Sequence, residues 1–469
     1  MENFYFWDSE VWISILLIGS LFLTMLVANV LKKNIPFLTK SLIPTSVLGG
    51  LILFIISAVY ELIAGHSLFN SEFFGGKGGS LLEIITYHAL ALGFIATTLK
   101  TTEKKFTKQR TTEIFNTGVT TVATYLLQGV VGLGITLFVA SFIMPELFPA
   151  SGVILPFGYG QGTGQALNWG TTYENDYAFK GGSSFGLTIA AMGFLSASIG
   201  GVIHLNILKK KGKIIIAGKG EGKISSEEIQ ADNEIPMNGS MDKLTVQIAL
   251  VILAYVMTYF IMLGLGKLLP GMRSVIYGFN FLFGVLCATL IKLIAKFLHK
   301  KGVIKKYHRN NFLLDRISNC CFDIMVVAGI AAIRLDVLGN YWAVLLVLGV
   351  VGAFITYFYN LYVARKFFPE YKEEQFLMMY GMLTGTASTG IILLREIDGD
   401  FKSPASDNLV YQNFPAIVFG FPLMLLANLA PKEPLLTFGI LVAFMIVMNL
   451  ILFRSIIFKR KKKAGESEK

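Results

Sequence analysis

The chain has 469 residues, of which 54% are hydrophobic and 15% are charged. A water-soluble protein cannot bury that much apolar surface, so the composition excludes an ordinary soluble protein and predicts an all-α polytopic membrane protein. The net charge of +11 does not indicate a nucleic-acid partner. The Lys and Arg residues concentrate in alternate short loops and at the C-terminus, where such residues set membrane topology. Membrane lipids are therefore the expected surroundings of the chain.

Apolar runs of about 20 residues recur along the whole length and predict membrane-spanning helices. The first run follows the acidic residues Glu2, Asp8 and Glu10, where a cleaved signal peptide would be basic, so we interpret it as a true span. Eleven spans are predicted, at 11–31, 42–64, 82–99, 115–143, 182–208, 243–267, 274–299, 316–334, 338–364, 409–429 and 434–457.

Basic residues follow every odd-numbered span, beginning with Lys32 and Lys33 and ending with the KRKKK stretch of the tail. The opposite loops are poor in Lys and Arg. This asymmetry predicts a plasma-membrane protein with its N-terminus outside and its C-terminus in the cytoplasm. It also predicts that 209–242 is a cytoplasmic linker and that 433–469 forms an extra span with a basic cytoplasmic tail.

Two further apolar stretches contain too much Gly and Thr to be ordinary spans. We call 150–170 the first broken segment and 374–394 the second broken segment. The predicted topology requires the first to enter and leave from outside and the second from inside, so both are predicted to be re-entrant hairpins. Non-helical backbone at membrane depth is tolerated only inside protein or beside a water-filled cavity.

A short motif is repeated in the two broken segments. Tyr159–Gly164 reads YGQGTG and Tyr380–Gly385 reads YGMLTG, at an offset of 221 residues. The surrounding spans correspond as well, one to five with six to ten. Because five is an odd number, the second copy has the opposite orientation in the membrane. The sequence therefore predicts two inverted repeats, 1–208 and 243–432, each with five spans and one hairpin.

Inverted repeats with broken elements near the membrane midplane are typical of secondary transporters that work by alternating access. Glycines release backbone N–H and C=O groups from the helix, and hydroxyl groups both donate and accept hydrogen bonds. We therefore predict that the broken segments bind the substrate through Gln161, Gly162, Thr163, Gly164, Gln165, Asn168, Thr384, Gly385, Thr386, Ser388 and Thr389.

Four residues are candidate ligands of a coupling cation. Gly160 and Thr386 offer oxygens in the broken segments, and Asn319 lies one helical turn before Asp323 in the eighth span. A carboxylate such as Asp323 could neutralise a cation, or it could pair with Arg316. Since few carboxylates lie deep in the predicted spans, Na⁺ held by neutral oxygens is favoured over proton coupling. No other cofactor is predicted.

At "GYGQGTGQALNWG" (158–170) and "MLTGTASTGIILL" (382–394) the sequence resembles the sodium/glutamate symporter family, and "LGFIATTLK" (92–100) is similar too. The resemblance covers about residues 10–430. It implies sodium-coupled uptake of glutamate or a similar small anionic amino acid or carboxylate, and a homodimer with a mobile transport domain in each protomer. Gln161 stands where the family has His, and Gln165 stands where a small residue is usual. Ser388 and Thr389 replace a Pro-containing turn.

Two other classes of function remain as alternatives. A cation/proton antiporter or an ion channel could use a related inverted-repeat scaffold. A membrane enzyme is disfavoured, because the sequence shows no clustered His, Asp and Glu ligands, no nucleophile with a plausible base and no sizeable soluble domain. We therefore expect no enzymatic activity.

Overall fold

The computed structural model describes residues 9–100, 107–212, 241–270, 273–304, 306, 308–336, 338–339, 341–399 and 402–467. The protein is 85% helical, and no strand occurs in these residues. The all-helical prediction is therefore confirmed. Most of the predicted linker, 213–240, lies outside the described residues.

The described residues form seventeen α-helices. They are α1 (Ser9–Asn34), α2 (Pro36–Lys40), α3 (Thr45–Ala64), α4 (Gly78–Leu99), α5 (Lys108–Phe142), α6 (Ile154–Tyr177), α7 (Gly182–Lys210), α8 (Lys243–Leu268), α9 (Arg273–Gly278), α10 (Asn280–Lys300), α11 (Asn311–Ala331), α12 (Trp342–Phe367), α13 (Lys372–Thr384), α14 (Ala387–Arg395), α15 (Ala405–Tyr411), α16 (Asn413–Leu429) and α17 (Pro434–Ser467). Short 3₁₀ helices lie at Leu68–Asn70, Glu72–Phe74, Pro149–Val153 and Pro369–Tyr371.

Nine helices in the described part of the chain are long and apolar enough to cross a membrane, as expected for a polytopic membrane protein. They correspond to nine of the eleven predicted spans. The other two predicted spans are also helical. The eighth is α11, which carries Asp315, Arg316 and Asp323. The tenth consists of two helices bent by 51°.

The chain divides into two compact units, and each unit draws segments from both halves of the sequence. Unit 1 comprises Met1–Leu31, Thr45–Lys104 and Glu221–Ile333. Unit 2 comprises Lys32–Pro44, Lys105–Gly220 and Arg334–Lys469. Unit 1 therefore holds the first three predicted spans of each half. Unit 2 holds both broken segments and the last two spans of each half, followed by the C-terminal α17.

Unit 1 is built on α4. A Cβ added at Gly93 would lie 2.7 Å from the ring of Phe322, so the absence of a side chain lets α4 approach α11 closely. A cluster of buried side chains joins α4 to α8, α10 and α11. Its members are Ile95, Ala96, Leu99, Val251, Ala254, Cys287, Ala288 and Leu314. Burial of this apolar surface stabilises the unit.

Unit 2 packs α6 tightly against α7 through glycines. A Cβ added at Gly182 would lie 2.5 Å from the carbonyl oxygen of Gly170, and a Cβ at Gly158 would lie 2.6 Å from the side chain of Ile189. Small residues let helix backbones approach closely, as is common between helices in membranes. This close packing holds the first broken segment in a fixed position on α7.

Candidate functional site

The first broken segment is a helix interrupted at Gly162. Within α6, Gly162 has φ 78° and ψ −168°, while the flanking residues are helical. This conformation is essentially restricted to glycine, because a Cβ would clash with the backbone. The motif glycine therefore has a specific conformational role.

The chain reverses direction at this break. Gly186 of α7 contacts the carbonyl oxygen of Ala166, and a Cβ at Gly186 would also lie 3.4 Å from the side chain of Ile154. In a straight helix, Ile154 and Ala166 would be about 18 Å apart. Both can meet Gly186 only because the two halves of α6 run back along the same helix.

The second broken segment is the helix pair α13 and α14. Helix α13 ends at Thr384, Thr386 is extended with φ −139° and ψ 172°, and α14 begins at Ala387. A Cβ at Gly381 would lie only 2.8 Å from the Cα of Gly390. The two helices thus fold back on each other, with glycines where they cross.

The two breaks face each other within unit 2. A Cβ at Gly162 would lie 3.0 Å from Cγ2 of Thr386 and 3.7 Å from the carbonyl oxygen of Gly385. Phe194 of α7 lies beside both, since its ring would be 3.8 Å from a Cβ at Gly162 and 3.0 Å from a Cβ at Gly385. The structure therefore brings together the central residues of both predicted substrate-binding stretches.

In each broken segment, one backbone carbonyl group that has no N–H partner within its helix accepts a hydrogen bond from a side chain of α5. The Tyr125 hydroxyl donates to the carbonyl oxygen of Gly160 at 3.0 Å, and Gln128 Nε2 donates to that of Leu383 at 3.0 Å. Gly160 and Leu383 each lie two residues before a break, so the helix cannot supply their usual N–H partner four residues later. Tyr125 and Gln128 are three residues apart and share one side of α5.

The predicted substrate-binding residues differ in burial and in partners. Thr163, Gly164, Gln165, Thr384 and Thr389 are buried, whereas Gln161, Asn168, Thr386 and Ser388 are partly exposed. The Thr384 hydroxyl donates to the carbonyl oxygen of Tyr380 at 2.6 Å. The hydroxyl oxygens of Thr386 and Thr389 are 3.5 Å apart.

Gln165 differs from the other predicted site residues in its lack of partners. It is only 1% exposed, and neither amide atom has a hydrogen-bond partner among the described residues. Trp169 Nε1, one turn further along, also lacks a partner there. A buried polar group without a partner is costly. These groups are available to a polar ligand.

The four predicted cation ligands fall in different units. Gly160 and Thr386 belong to unit 2, whereas Asn319 and Asp323 belong to unit 1. Asn319 and Asp323 are both exposed on α11, and Asp323 interacts with the side chain of Ser46.

A row of buried polar residues on α5 was not predicted from the sequence. Thr117 accepts from Gln375 Nε2 at 3.1 Å, and Thr121 donates to Gln412 Oε1 at 3.0 Å. Further along the helix, Thr124 and Gln128 contact side chains of α12. In the stretch "TGVTTVATYLLQ" these polar residues are three or four positions apart, which places them on one face of the helix. This spacing is the sequence pattern from which the polar face could have been predicted.

A buried histidine on α7, which pairs with a glutamate at the start of α13, was also not predicted from the sequence. His204 Nε2 lies 3.0 Å from Glu373 Oε2, and His204 Nδ1 lies 2.7 Å from the Tyr357 hydroxyl. The imidazole is 2% exposed and packs on Phe376 with the ring centroids 4.3 Å apart. This pair links α7 to the beginning of the second broken segment.

Glu174 lies beyond the first broken segment, near the end of α6. Its carboxylate accepts from the backbone N–H of Ser183 at 3.0 Å, from the Ser183 hydroxyl at 2.7 Å and from Arg334 at 2.9 Å. Burial acts to raise the pKa of Glu174, but these hydrogen bonds and the Arg334 charge outweigh it, so the pKa lies below its usual value. The contacts tie α6 to the start of α7.

No protein-family model and no curated protein matches the sequence. The relation to the sodium/glutamate symporters therefore remains an expectation from the two glycine-rich stretches at 158–170 and 382–394. The candidate site is defined by the geometry of the broken segments.

Proposed function

We propose that this protein is a secondary active transporter that takes up a small anionic amino acid or carboxylate, with glutamate as the first candidate, by sodium-coupled symport. The observation that carries the proposal is the meeting of two helix breaks, Gly162 and Gly385–Thr386, within one unit. Broken helices that meet in this way are the usual substrate and ion sites of secondary transporters.

The backbone at the breaks supports both ligands of the proposed symport. The second half of α6 and helix α14 both begin at the breaks, and helix N-termini favour negative charge. The first half of α6 and helix α13 end there, so their last carbonyl groups favour a cation. The helix dipoles at the breaks would therefore favour the binding of both an anionic substrate and Na⁺.

The proposed membrane arrangement follows from the basic loops. We propose that both broken segments are re-entrant hairpins that enter from opposite faces, and that the halves form inverted repeats. The N-terminus would be outside and the C-terminus in the cytoplasm of the plasma membrane. The division of the described residues into two units supports the proposed inverted repeats, because each unit contains corresponding spans from both halves. A homodimer is proposed from the family resemblance alone.

Uptake by the purified protein in liposomes tests the function. With an inward Na⁺ gradient we expect accumulation of labelled glutamate or of another member of a panel of amino and organic acids. Replacing Na⁺ with K⁺ should abolish it. Absence of sodium-dependent accumulation of every compound would contradict the proposal.

Two variants at the breaks test the site. Thr163→Val and Thr386→Val keep the side-chain shape and remove a hydroxyl, so we expect about a tenfold rise in the substrate concentration for half-maximal uptake. Thr112→Val is the matched control, because Thr112 is exposed and, within the described part of the chain, its hydroxyl bonds only to its own helix. If the substrate concentration for half-maximal uptake were the same in all three variants, the substrate would bind elsewhere.

Cation/proton antiport is the alternative, and the His204–Glu373 pair favours it because a buried ionisable pair can exchange a proton. Antiport predicts Na⁺ flux against a proton gradient without any organic substrate. Glu373→Gln should then abolish the pH dependence of that flux. Under the symport proposal, the purified protein carries no Na⁺ flux until a substrate is added.

A further inference from the structure

Four polar side chains meet between α5 and α12 in unit 2. Gln128 Nε2 donates to Thr356 Oγ1 at 2.8 Å. One turn away, the Thr124 hydroxyl lies 3.5 Å from Asn360 Oδ1 and 3.4 Å from Asn360 Nδ2. Each helix thus contributes two residues four positions apart, and the pairs lie opposite each other in antiparallel order. We call Thr124, Gln128, Thr356 and Asn360 the α5–α12 quartet.

The quartet is completely buried but not fully bonded. Thr124, Gln128 and Thr356 are 0% exposed, and Asn360 is 1% exposed. Gln128 Nε2 already donates to two oxygens, whereas Gln128 Oε1 has no hydrogen-bond partner among the described residues. The contacts between Thr124 and Asn360 are at the long limit for hydrogen bonds. A buried oxygen without a partner is costly in an apolar region, so a ligand that offers positive charge would be stabilised there.

The chemistry of the quartet fits a monovalent cation. Its ligand atoms are neutral hydroxyl and amide oxygens, and no carboxylate belongs to it. A divalent ion would bring two charges without a counter-charge into a buried site, which is strongly unfavourable. Na⁺ is a hard cation that is bound by oxygen, and hydroxyl, amide and backbone carbonyl oxygens are all suitable.

The second broken segment supplies a backbone oxygen to the same place. The Leu383 carbonyl accepts from Gln128 Nε2, and its usual helix partner, the N–H of Ala387, lies beyond the end of α13. A carbonyl oxygen has two lone pairs, so the Leu383 carbonyl can face a cation with one of them while the other accepts from Gln128 Nε2.

We propose that the α5–α12 quartet and the Leu383 carbonyl form a Na⁺ site at the base of the second break. This site differs from the four cation ligands predicted from the sequence. The inference rests on the proposed function only for the identity of the ion. Because Leu383 lies two residues before Gly385, bound Na⁺ holds the end of α13 and so orders the substrate-binding side of the break.

Thermal unfolding of the detergent-purified full-length protein tests the site without any organic substrate. Na⁺ is titrated at constant ionic strength with K⁺ as the replacement. A cation that binds only the folded state raises the melting temperature by mass action. We expect Na⁺, but not K⁺, to raise it. Absence of a sodium-specific rise in the wild-type protein would overturn the inference.

A matched pair of threonines locates the site. Thr124→Val removes the hydroxyl that faces Asn360, and we expect about a tenfold rise in the Na⁺ concentration for half-maximal stabilisation. Thr120→Val is the control, because Thr120 is equally buried on α5 but its hydroxyl, among the described residues, bonds only to the Asn116 carbonyl at 2.7 Å. Thr124→Ser keeps the hydroxyl and should bind Na⁺ like the wild type. The same Na⁺ dependence in Thr124→Val and Thr120→Val would overturn the inference.

Further outcomes distinguish a failure of the proposed Na⁺ site from a failure of the proposed symport. If Thr124→Val does not fold, Thr356→Val and Thr356→Ser are compared in the same way. Sodium stabilisation that weakens in the valine variants, together with no uptake of any substrate, would support the site and contradict the symport. Sodium-dependent uptake with an unchanged Na⁺ requirement in the valine variants would contradict the site and support the symport.

Discussion

Tyr159 and Tyr380, the first residues of the two YGxxTG motifs, both hydrogen bond to Ser196 of α7. The Tyr159 hydroxyl lies 3.0 Å from Ser196 Oγ, and the Tyr380 hydroxyl donates to the Ser196 carbonyl oxygen at 2.9 Å. Both tyrosines are buried, at 0% and 1% exposure. One residue of α7 therefore contacts the first half of each broken segment, and this shared contact helps to keep the breaks opposite each other.

The Ser196 contacts predict a selective energetic coupling. Ser196→Ala removes the hydroxyl that contacts Tyr159 but keeps the carbonyl that contacts Tyr380. In double-mutant cycles on the free energy of unfolding, we expect Ser196→Ala and Tyr159→Phe to be coupled by about 0.5–1.5 kcal/mol. Ser196→Ala and Tyr380→Phe should be additive to within about 0.5 kcal/mol.

Chemical denaturation of the three single and two double variants in detergent, together with the wild type, measures these couplings. Tyr380→Phe is the internal control, because it removes a hydroxyl from the equivalent motif position. A coupling of the same size in both cycles would show that Ser196→Ala acts through packing and not through its hydroxyl.

The repeated motif predicted the two breaks but not their positions within the motif. Gly162 is the break in the first copy, and it aligns with Leu383 in the second copy. A leucine is strained at positive φ, so the helix continues to Thr384 and leaves the helical conformation at Gly385. The motif thus predicts that the helix is interrupted in each segment, whereas the residue type at each motif position determines which residue leaves the helical conformation.

The polar face of α5 shows why other parts of the site could not be predicted. A threonine inside a helix can bond to the carbonyl four residues earlier, and Thr117, Thr120, Thr121 and Thr124 all do so. The sequence is therefore equally compatible with a helix in which all four threonine hydroxyls bond only to carbonyl groups of that helix. Only tertiary packing shows that Thr117, Thr121 and Thr124 also contact neighbouring helices. The apolar spans, in contrast, were predictable because each depends on a long run of its own residues.

The conformation of Gly162 predicts that any side chain there is destabilising. Gly162→Ala should cost about 1–3 kcal/mol in the free energy of unfolding, because its φ and ψ are essentially restricted to glycine and the new Cβ would crowd Thr386. Gly264→Ala is the control, since Gly264 lies within α8 and a Cβ there meets no atom of the described residues within 4 Å. In a helix, this change should be neutral or stabilising by up to about 1 kcal/mol. Equal stability of Gly162→Ala and the wild type would contradict the described break.

The crossing of α13 and α14 predicts a second glycine requirement. Gly381→Ala would place a Cβ 2.8 Å from the Cα of Gly390, which is backbone and cannot turn away. We expect a loss of about 1–3 kcal/mol in unfolding free energy and weaker substrate-induced stabilisation, because the helices must separate near the break. Gly439→Ala on α17 is the control, since none of the residues that the structure describes lies within 4 Å of a Cβ there. Wild-type stability and ligand response in Gly381→Ala would exclude this crossing.

The contacts of Glu174 predict a specific dependence of stability on pH. Its pKa is lower in the folded protein than the usual 4.5, so its stabilising contribution is fully present above about pH 4.5 and is lost as the pH falls through the lower, folded-state pKa. Glu174→Gln should therefore be less stable than the wild type near neutral pH, by a margin that shrinks on acidification. Denaturation of both proteins between about pH 3 and pH 7 measures this margin. Asp176→Asn is the control, because Asp176 is exposed at the same end of α6. A margin that stays constant over this pH range would show that Glu174 stabilises the protein without its charge.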